Sequence, residues 1–193
     1  MIETEVKHKI EKKELKKIKS KLKKIAVFER KEKELNLVFD NPDSEFRKKR
    51  FLLRLRKDSK NTLTFKSPAK SSGKFKERKE TEIEIKDFER TKKLLEKMNF
   101  SPAFVYEKKR EYYSFGKTEI LLDELPFIGF YIEIEGKKKG IKSAEEKLDL
   151  KEKNRITKNY LQLFLEYKKK KKIREKNMLF WKKQDLNKIK HSI

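Results

Sequence analysis

The chain has 193 residues and a mass of 23.5 kDa, which suits one domain with its own hydrophobic core. Its 56 Lys and Arg residues against 32 Asp and Glu residues give a formal net charge of +24, so a polyanionic ligand is favoured, and the absence of Cys excludes disulfides and thiolate chemistry. No apolar run approaches about 18 residues and no apolar segment follows the acidic start, so we expect a cytoplasmic protein without a membrane span or export signal.

The first predicted element is a strand over residues 2–10, in which Glu3, Glu5 and Lys7 alternate with apolar or small residues. This spacing places the three charged side chains on one face of the strand. Two carboxylates about 7 Å apart on such a face repel by about 2 kcal/mol at an effective dielectric of about 20. If the face is buried, it therefore requires a metal ion or neighbouring cations; otherwise it is an ordinary solvated face.

The following segments carry basic residues in the same alternation. A helix is predicted over residues 11–25, because its Leu and Ile residues share one face. The strands predicted after it cover residues 26–40, 50–57, 61–67 and 76–86. Charged side chains at alternate positions of the last three strands are Arg54, Arg56, Lys66, Arg78, Glu80 and Glu82. The clearest turn is predicted at residues 41–44 and the clearest loop at residues 68–73.

The second half of the chain repeats the pattern. A helix over residues 88–98 is capped by Asp87, and strands are predicted over residues 103–114, 117–123 and 130–136. Two further helices are predicted to start at a capping box over residues 143–146 and at Thr157. The charged residues of these strands are Lys108, Arg110, Asp123, Glu133 and Glu135. His8 lies out of phase with Glu5 and is expected to face a helix layer or solvent.

These elements predict an α+β fold. About eight antiparallel strands with charged residues on a common face can close into a β-barrel wide enough to hold a ligand. The apolar faces of the strands then point outward, so flanking amphipathic helices are needed to cover them.

Seven segments resemble, in order, the CYTH, or triphosphate tunnel metalloenzyme, superfamily, and the resemblance covers about residues 1–167. The run from Glu3 to Lys7 resembles the N-terminal signature Glu-x-Glu-x-Lys, and residues 36–43 are similar to the second strand and turn, with departures at Val38 and Asn41. The segments that resemble the third to fifth strands and the closing metal-binding hairpin are residues 53–56, 63–66, 78–82, 122–124 and 129–136.

The resemblance implies a β-barrel tunnel in which divalent cations bridge the oxygens of a triphosphate. Carboxylates favour Mg²⁺ or Mn²⁺ over zinc, and the chain has no His or Cys cluster. The implied metal ligands are Glu3, Glu5, Asp123, Glu133 and Glu135. The implied triphosphate-binding residues are Lys7, Arg54, Arg56, Lys66, Arg78, Lys108 and Arg110. The catalytic candidates are Lys7, Glu80 and Glu82. Glu80 and Glu82 either position the attacking water or orient the basic side chains; the alternative is that they are only salt-bridge spacers between Arg78 and its neighbours.

Three chemistries use such a tunnel: hydrolysis of tripolyphosphate or of an organic triphosphate, conversion of ATP to cyclic AMP and pyrophosphate by a class IV adenylyl cyclase, and removal of the 5′ γ-phosphate from RNA. We expect a metal-dependent triphosphatase, with the cyclase as the alternative. A non-catalytic binder of polyphosphate or RNA is a further alternative, which the acidic pairs disfavour. Specific nucleic-acid recognition is not expected, because no helix-turn-helix, zinc finger or aromatic platform is present.

The composition changes after Tyr167 into the basic run Lys168 to Lys172. We expect residues 1–167 to form the triphosphate tunnel domain that the resemblance implies and residues 168–193 to form a basic tail, either solvated or ending in a helix docked on the barrel. A helix that binds a partner or a membrane surface is the alternative for the tail. Both a monomer and a homodimer are compatible with the sequence, and no membrane association is expected.

Overall fold

The computed structural model describes residues 2–72 and 75–180. The strands in these ranges are β1 (Ile2–Ile10), β2 (Val27–Asp40), β3 (Leu52–Lys57), β4 (Thr62–Lys66), β5 (Lys70–Ser72), β6 (Phe75–Glu84), β7 (Ser101–Phe115), β8 (Thr118–Leu125) and β9 (Gly129–Glu135). The helices are α1 (Leu15–Ile25), α2 (Glu45–Lys48), α3 (Phe88–Lys97), α4 (Lys138–Leu148) and α5 (Tyr160–Lys171), with a 3₁₀ turn at Glu152–Asn154.

Eight of the strands form an antiparallel sheet that closes in a ring. The order around the ring is β1-β9-β8-β7-β2-β3-β4-β6, and the pairing of β1 with β6 closes it. This closing pair is short, since it aligns Ile2 with Lys79 and Glu5 with Lys76. Strand β5 adds a short pairing to β6 after the break at Pro68. The predicted closed antiparallel sheet is confirmed in this form.

Helices cover the outer face of the sheet, as the alternation predicts. Val6, Ile120 and Ile134 point outward from β1, β8 and β9 and pack with Leu22 of α1 and Ile141 of α4. A second core joins the outer face of β2, β3 and β7 to α3. Burial of these apolar side chains stabilises the ring by roughly 1.5–3 kcal/mol for each large residue. The interior is therefore left to the charged side chains.

Helix α5 lies across one end of the ring. Its Tyr160 and Phe164 pack on Phe104, Tyr106 and Tyr131. These three residues alternate with the outward-facing residues of β7 and β9, so they belong to the inner face. The helix therefore meets the inside of the sheet, whereas α1, α3 and α4 meet its outside.

Two predicted helix starts are wrong. Helix α4 begins at Lys138 rather than Ser143, and it includes Gly140, which sequence patterns disfavour inside a helix. A methyl group at Gly140 would collide with Oγ1 of Thr118, so close packing on β8 explains the glycine. Helix α5 begins at Tyr160 rather than Thr157, because Asn159 and Gln162 form its capping box.

Three smaller differences concern short elements. Helix α1 begins at Leu15 rather than residue 11, after a turn in which Glu14 donates its backbone N–H to the carbonyl oxygen of Glu11. The predicted loop over residues 68–73 contains the short strand β5, and the predicted turn over residues 41–44 is followed by α2. Each depends on local hydrogen bonds, such as the pairing of Lys70 in β5 with Glu77 in β6, which the period of the apolar residues does not encode.

The basic region after Tyr167 is partly docked on the sheet. Helix α5 continues through Lys171, and Met178 is fully buried beside β7, where its backbone pairs with Val105 and Glu107 at 3.0 and 2.9 Å. The remainder of the predicted terminal segment, with Trp181, Leu186 and Ile189, and His191 of the tail lie outside the described residues. None of the described helices has the length and apolar character needed to cross a membrane.

Candidate functional site

The inner face of the ring surrounds a cavity of about 1070 Å³. Residues from both ends of the ring line it, such as Arg30 and Asp58 at one end and Phe46 and Phe104 at the other. Every predicted site residue except Asp123 lines the cavity, and Asp123 is fully buried behind it. The alternation of charges along the strands therefore brings the candidate residues together.

Three carboxylates meet at one point of the cavity wall. Glu5 and Glu135 are register partners on β1 and β9, and oxygens of Glu3, Glu5 and Glu135 lie within 4.8 Å of one another. Lys66 binds Glu3 at 2.7 Å, and Lys76 binds Glu5. Burial together with the charges of Glu3 and Glu5 nevertheless raises the pKa of Glu135 to about 8. We call Glu3, Glu5 and Glu135 the acidic trio. Repulsion between their negative charges therefore disfavours the state in which all three carboxylates are ionised.

The acidic trio has the donor chemistry of a site for a hard divalent cation. Mg²⁺ and Mn²⁺ prefer carboxylate oxygens and are commonly held by a few carboxylates together with substrate phosphates. A dication would relieve the repulsion that raises the pKa of Glu135. The residues present thus fit the ion that the sequence predicts.

Asp123 and Glu133 belong to a separate network centred on Arg110. The guanidinium of Arg110 donates to both oxygens of Asp123 at 2.6 Å and also contacts Glu133. Lys7 lies 3.0 Å from Glu133, and the hydroxyl of Tyr160 donates to Asp123 at 2.7 Å. The structure therefore places these two predicted metal ligands among cations and outside the group of carboxylates that meet within 4.8 Å, although the charge of Glu133 also acts on Glu135.

Electrostatics keep Lys7 and Glu133 charged in this network. Burial opposes the charged form of Lys7, but Glu133 and Glu5 outweigh it and raise the pKa of Lys7 above its ordinary value. Burial likewise opposes the charge of Glu133, yet Lys7 and Arg110 hold its pKa well below the usual range. These surroundings favour the charged form of Lys7, which suits contact with an anionic ligand.

Glu34 forms a further buried anchor that the sequence analysis did not identify. Its side chain is fully buried, lies 3.3 Å from Lys108 and accepts a hydrogen bond from the hydroxyl of Tyr112 at 2.9 Å. Burial opposes its charge, but Lys108 and Arg110 hold the pKa of Glu34 below its ordinary value. In the sequence, the alternation of polar residues at Glu32, Glu34 and Asn36 already indicated that these side chains share one face of the strand.

Arg54 and Arg56 project from β3 and share one carboxylate. Glu82 lies 3.5 Å from Arg54 and 3.0 Å from Arg56, and it accepts a hydrogen bond from Thr64 at 2.6 Å. The buried Nε atom of Arg54 has no hydrogen-bond partner among the described residues. An unpaired donor of this kind is suited to an anionic ligand in the cavity.

Glu80 and Arg78 have different surroundings. Glu80 lies 2.7 Å from Lys66, which also binds Glu3 at 2.7 Å. Arg78 donates to the backbone carbonyl oxygen of Ser67 at 2.7 Å and to that of Arg50 at 3.3 Å, so part of its donor capacity is already used. Lys76, which the sequence analysis missed, lies two residues before Arg78 on the same face of β6.

His8 points away from the cavity, as predicted, toward the helix layer. It is buried, and its Nε2 lies 2.7 Å from Glu145 of α4, which also receives a hydrogen bond from Nε of Arg155 at 2.7 Å. Burial lowers the pKa of His8, and Arg155 adds to this effect against the opposing influence of Glu145. The contact between His8 and Glu145 therefore stabilises the packing of α4 on β1.

Comparisons with known proteins agree with this architecture. The CYTH domain family model matches residues 1–177. A candidate adenylate cyclase of Methanocaldococcus jannaschii, MJ0240, is 31% identical over 178 residues, which cover 84% of this chain and 98% of that protein. The solved structure of protein PH1819 from Pyrococcus horikoshii OT3 has 31% identity and a TM-score of 0.69, and the match covers 85% of this chain and 98% of that one.

A more distant solved structure shares the fold. It is a candidate adenylyl cyclase of Hippeastrum, HpAC1, described as having a dominant triphosphatase activity. Its identity is 18% and its TM-score is 0.67, and the match covers 86% of this chain and 95% of that one. On the family match and the archaeal relative together, this chain belongs to the CYTH domain family.

Proposed function

We propose that this protein is a metal-dependent triphosphatase that hydrolyses a triphosphate inside the charged tunnel formed by the closed ring. One observation carries the proposal: the acidic trio and a set of buried Arg and Lys side chains line the same cavity. A protein that only binds anions has no need for three converging carboxylates. A triphosphate with its bound cation needs both kinds of charge.

In this proposal the acidic trio holds Mg²⁺ or Mn²⁺. Of the five predicted ligands, Glu3, Glu5 and Glu135 would hold the ion. Asp123 and Glu133 instead fix Arg110 and Lys7, with which they already pair. When bound, the ion supplies Lewis-acid polarisation of the phosphate oxygens.

The basic residues bind the triphosphate chain and stabilise the charge that spreads over its oxygens during transfer. Arg54 and Arg56 offer planar donors that suit phosphate, and Lys7, Lys66 and Lys108 act as point charges. The remaining two predicted phosphate-binding residues are Arg78 and Arg110. Cations held in place by carboxylates need no reorganisation at the moment of reaction, so they stabilise the transition state effectively.

Glu82 and Glu80 act in this proposal by orienting cations. Glu82 holds Arg54 and Arg56 together, and Glu80 holds Lys66. Burial opposes the charge of Glu82, but Thr64 and Arg56 keep its pKa below the ordinary value, so it is a poor proton acceptor. These contacts support the orienting role over water activation. Lys7, the third catalytic candidate, contacts phosphate as a cation.

An adenylyl cyclase is the second candidate function, because the archaeal relative at 31% identity carries that name. The same cations would bind ATP, and the ribose 3′-hydroxyl would attack phosphorus in place of water. The Hippeastrum protein, with its dominant triphosphatase activity, supports hydrolysis as the first choice.

One assay decides between these activities. Phosphate release and cyclic AMP formation are measured from tripolyphosphate, ATP and thiamine triphosphate, each with Mg²⁺, Mn²⁺ or EDTA. We expect metal-dependent phosphate release and no cyclic AMP. Cyclic AMP with pyrophosphate would assign the cyclase, and tight polyphosphate binding without turnover would assign a binder.

Glu5→Gln and Glu89→Gln form a matched pair for the site. Glu5 belongs to the acidic trio, whereas Glu89 is an exposed residue of the outer helix α3. Glu5→Gln should lower metal-dependent turnover by at least about a hundredfold while the circular dichroism spectrum is unchanged. Glu89→Gln should retain full activity. Equal rates in both variants would remove the site assignment.

A further inference from the structure

Lys76 lies on the inner face of β6, beside the acidic trio. Its ammonium group donates a hydrogen bond to Oε1 of Glu5, and the two residues are register partners where β6 pairs with β1 and closes the ring. On the other side of β1, Glu5 faces Glu135 of β9. Glu5 therefore has an ammonium group on one neighbouring strand and a carboxylate on the other.

Lys66 and Lys76, which both contact the acidic trio, are held in different ways. Lys66 lies 2.7 Å from Glu3 and 2.7 Å from Glu80, so it keeps one partner if Glu3 turns to another cation. In the part of the chain that the structure describes, Lys76 forms its ion pair with Glu5 alone. Lys76 therefore loses its ion pair when Glu5 binds a metal ion.

Lys76 and a divalent ion compete for the carboxylate of Glu5. An ammonium group and a dication on one carboxylate repel each other. Water screens this repulsion poorly, because the side chains of Lys76 and Glu5 are only 15% and 10% exposed. In the metal-free protein, Lys76 offsets part of the repulsion among the three carboxylates. It thus replaces part of the charge that the ion would bring, and the free ion gains less on binding.

We propose that Lys76 is a built-in counterion of the acidic trio, which weakens the binding of a free divalent cation and leaves Glu5 when the cation enters. This inference rests on the proposed function, because it assumes that the acidic trio holds the ion. The negative charge of a triphosphate in the cavity favours both cations at once, so the ion and the triphosphate bind with positive coupling. Lys76 acts through Glu5 and is a positioning residue.

Binding of Mn²⁺ in the absence of phosphate tests the counterion independently of catalysis. Free Mn²⁺ is measured by electron paramagnetic resonance during titrations of the wild type, Lys76→Met, Lys76→Arg and Lys79→Met. Lys79 is exposed on the outer face of the same strand and is the matched control. Lys76→Met should bind Mn²⁺ at least about tenfold more tightly than the wild type. Lys76→Arg, which keeps the charge, and Lys79→Met should stay within about twofold of the wild type.

Thermal unfolding gives a second measurement of the same effect. Lys76→Met should unfold at a lower temperature than the wild type in EDTA, because its three carboxylates lack a counterion. Mn²⁺ should then raise the unfolding temperature of Lys76→Met by more than it raises that of the wild type. An equal or smaller rise in Lys76→Met would overturn the counterion role.

The outcomes separate this inference from the function on which it rests. Mn²⁺ affinity that is equal in the wild type and Lys76→Met, with metal-dependent turnover in the wild type, would overturn the counterion and leave the hydrolase. Tighter Mn²⁺ binding by Lys76→Met, without turnover of any triphosphate by the wild type, would support the counterion and remove the hydrolase. Absence of Mn²⁺ binding in all four proteins would overturn the counterion together with the metal site.

Discussion

Glu5 and Glu135 face each other across the pairing of β1 with β9, while Lys76 of β6 pairs with Glu5 from the other side. Their carboxylates, with that of Glu3, lie within 4.8 Å of one another, and the pKa of Glu135 rises to about 8 because of burial and these neighbours. Repulsion between these carboxylates therefore opposes folding of the metal-free protein.

Glu135→Gln should stabilise the protein in EDTA by about 1–3 kcal/mol, because it removes a charge that the metal-free site opposes. The same substitution should abolish the stabilisation that Mg²⁺ gives the wild type, since one ligand is lost. Urea denaturation with EDTA and with Mg²⁺ measures both effects. A variant less stable than the wild type in EDTA would contradict the electrostatic argument.

Asp123→Asn should lower stability as well as activity, in contrast to Glu5→Gln. It breaks the pair with Arg110, whose guanidinium is buried, and loss of one partner from a buried ion pair costs about 3–5 kcal/mol. Urea denaturation measures this cost. The double variant Asp123→Leu with Arg110→Met should recover only part of the stability, because the buried Glu133 loses its contact with Arg110, and none of the activity. Full stability in Asp123→Asn would show that this network does not support the ring.

The buried His8 predicts a pH dependence of stability. Its pKa in the folded protein lies below the ordinary value of 6.5, because burial disfavours the charged ring and Arg155 adds to the effect. Below about pH 6.5 the unfolded chain binds a proton that the folded protein resists, so stability falls as the pH falls. His8→Gln should have a smaller loss of unfolding free energy between about pH 7.5 and pH 5. Equal losses in both proteins would assign the effect to other groups.

Gly140→Ala tests the close packing of α4 on β8. Although alanine favours helices, its methyl group would collide with Oγ1 of Thr118, so we expect destabilisation by about 1–3 kcal/mol. Thr118→Ala in the same chain should restore part of the loss, because it removes the colliding atom. Thermal unfolding of the two single variants and the double variant measures the coupling. A stabilised Gly140→Ala would mean that the helix lies further from the strand.

Alternation along single strands made much of the site predictable. Because side chains alternate between the two faces of a strand, Glu3 shares a face with Glu5, and Arg54 shares a face with Arg56. Charged residues on a common face predicted that this face meets either a charged cavity or water. It could not assign partners between strands. That Lys66 binds Glu3, or that Lys76 binds Glu5, depends on how the ring closes.

The missed residues had weaker signals. Glu34 lies in a strand where both faces carry charge, so its full burial follows only from the positions of Lys108 and Tyr112 on the neighbouring β7. The start of α4 was missed because Gly140 is unfavourable in isolated helices, and only the contact with Thr118 explains it. The burial of Glu34 and the start of α4 both depend on contacts between different elements of the fold, which the local sequence pattern does not reveal.

The acidic trio takes its members from β1 and β9, which are the first and the last strands of the described sheet in chain order. A cation-binding centre of this kind cannot exist in a partly folded chain, because its halves are separated by more than a hundred residues until the final strand has paired. Binding of a divalent ion would therefore show that the ring has closed. The bound ion would also stabilise the closed ring against unfolding.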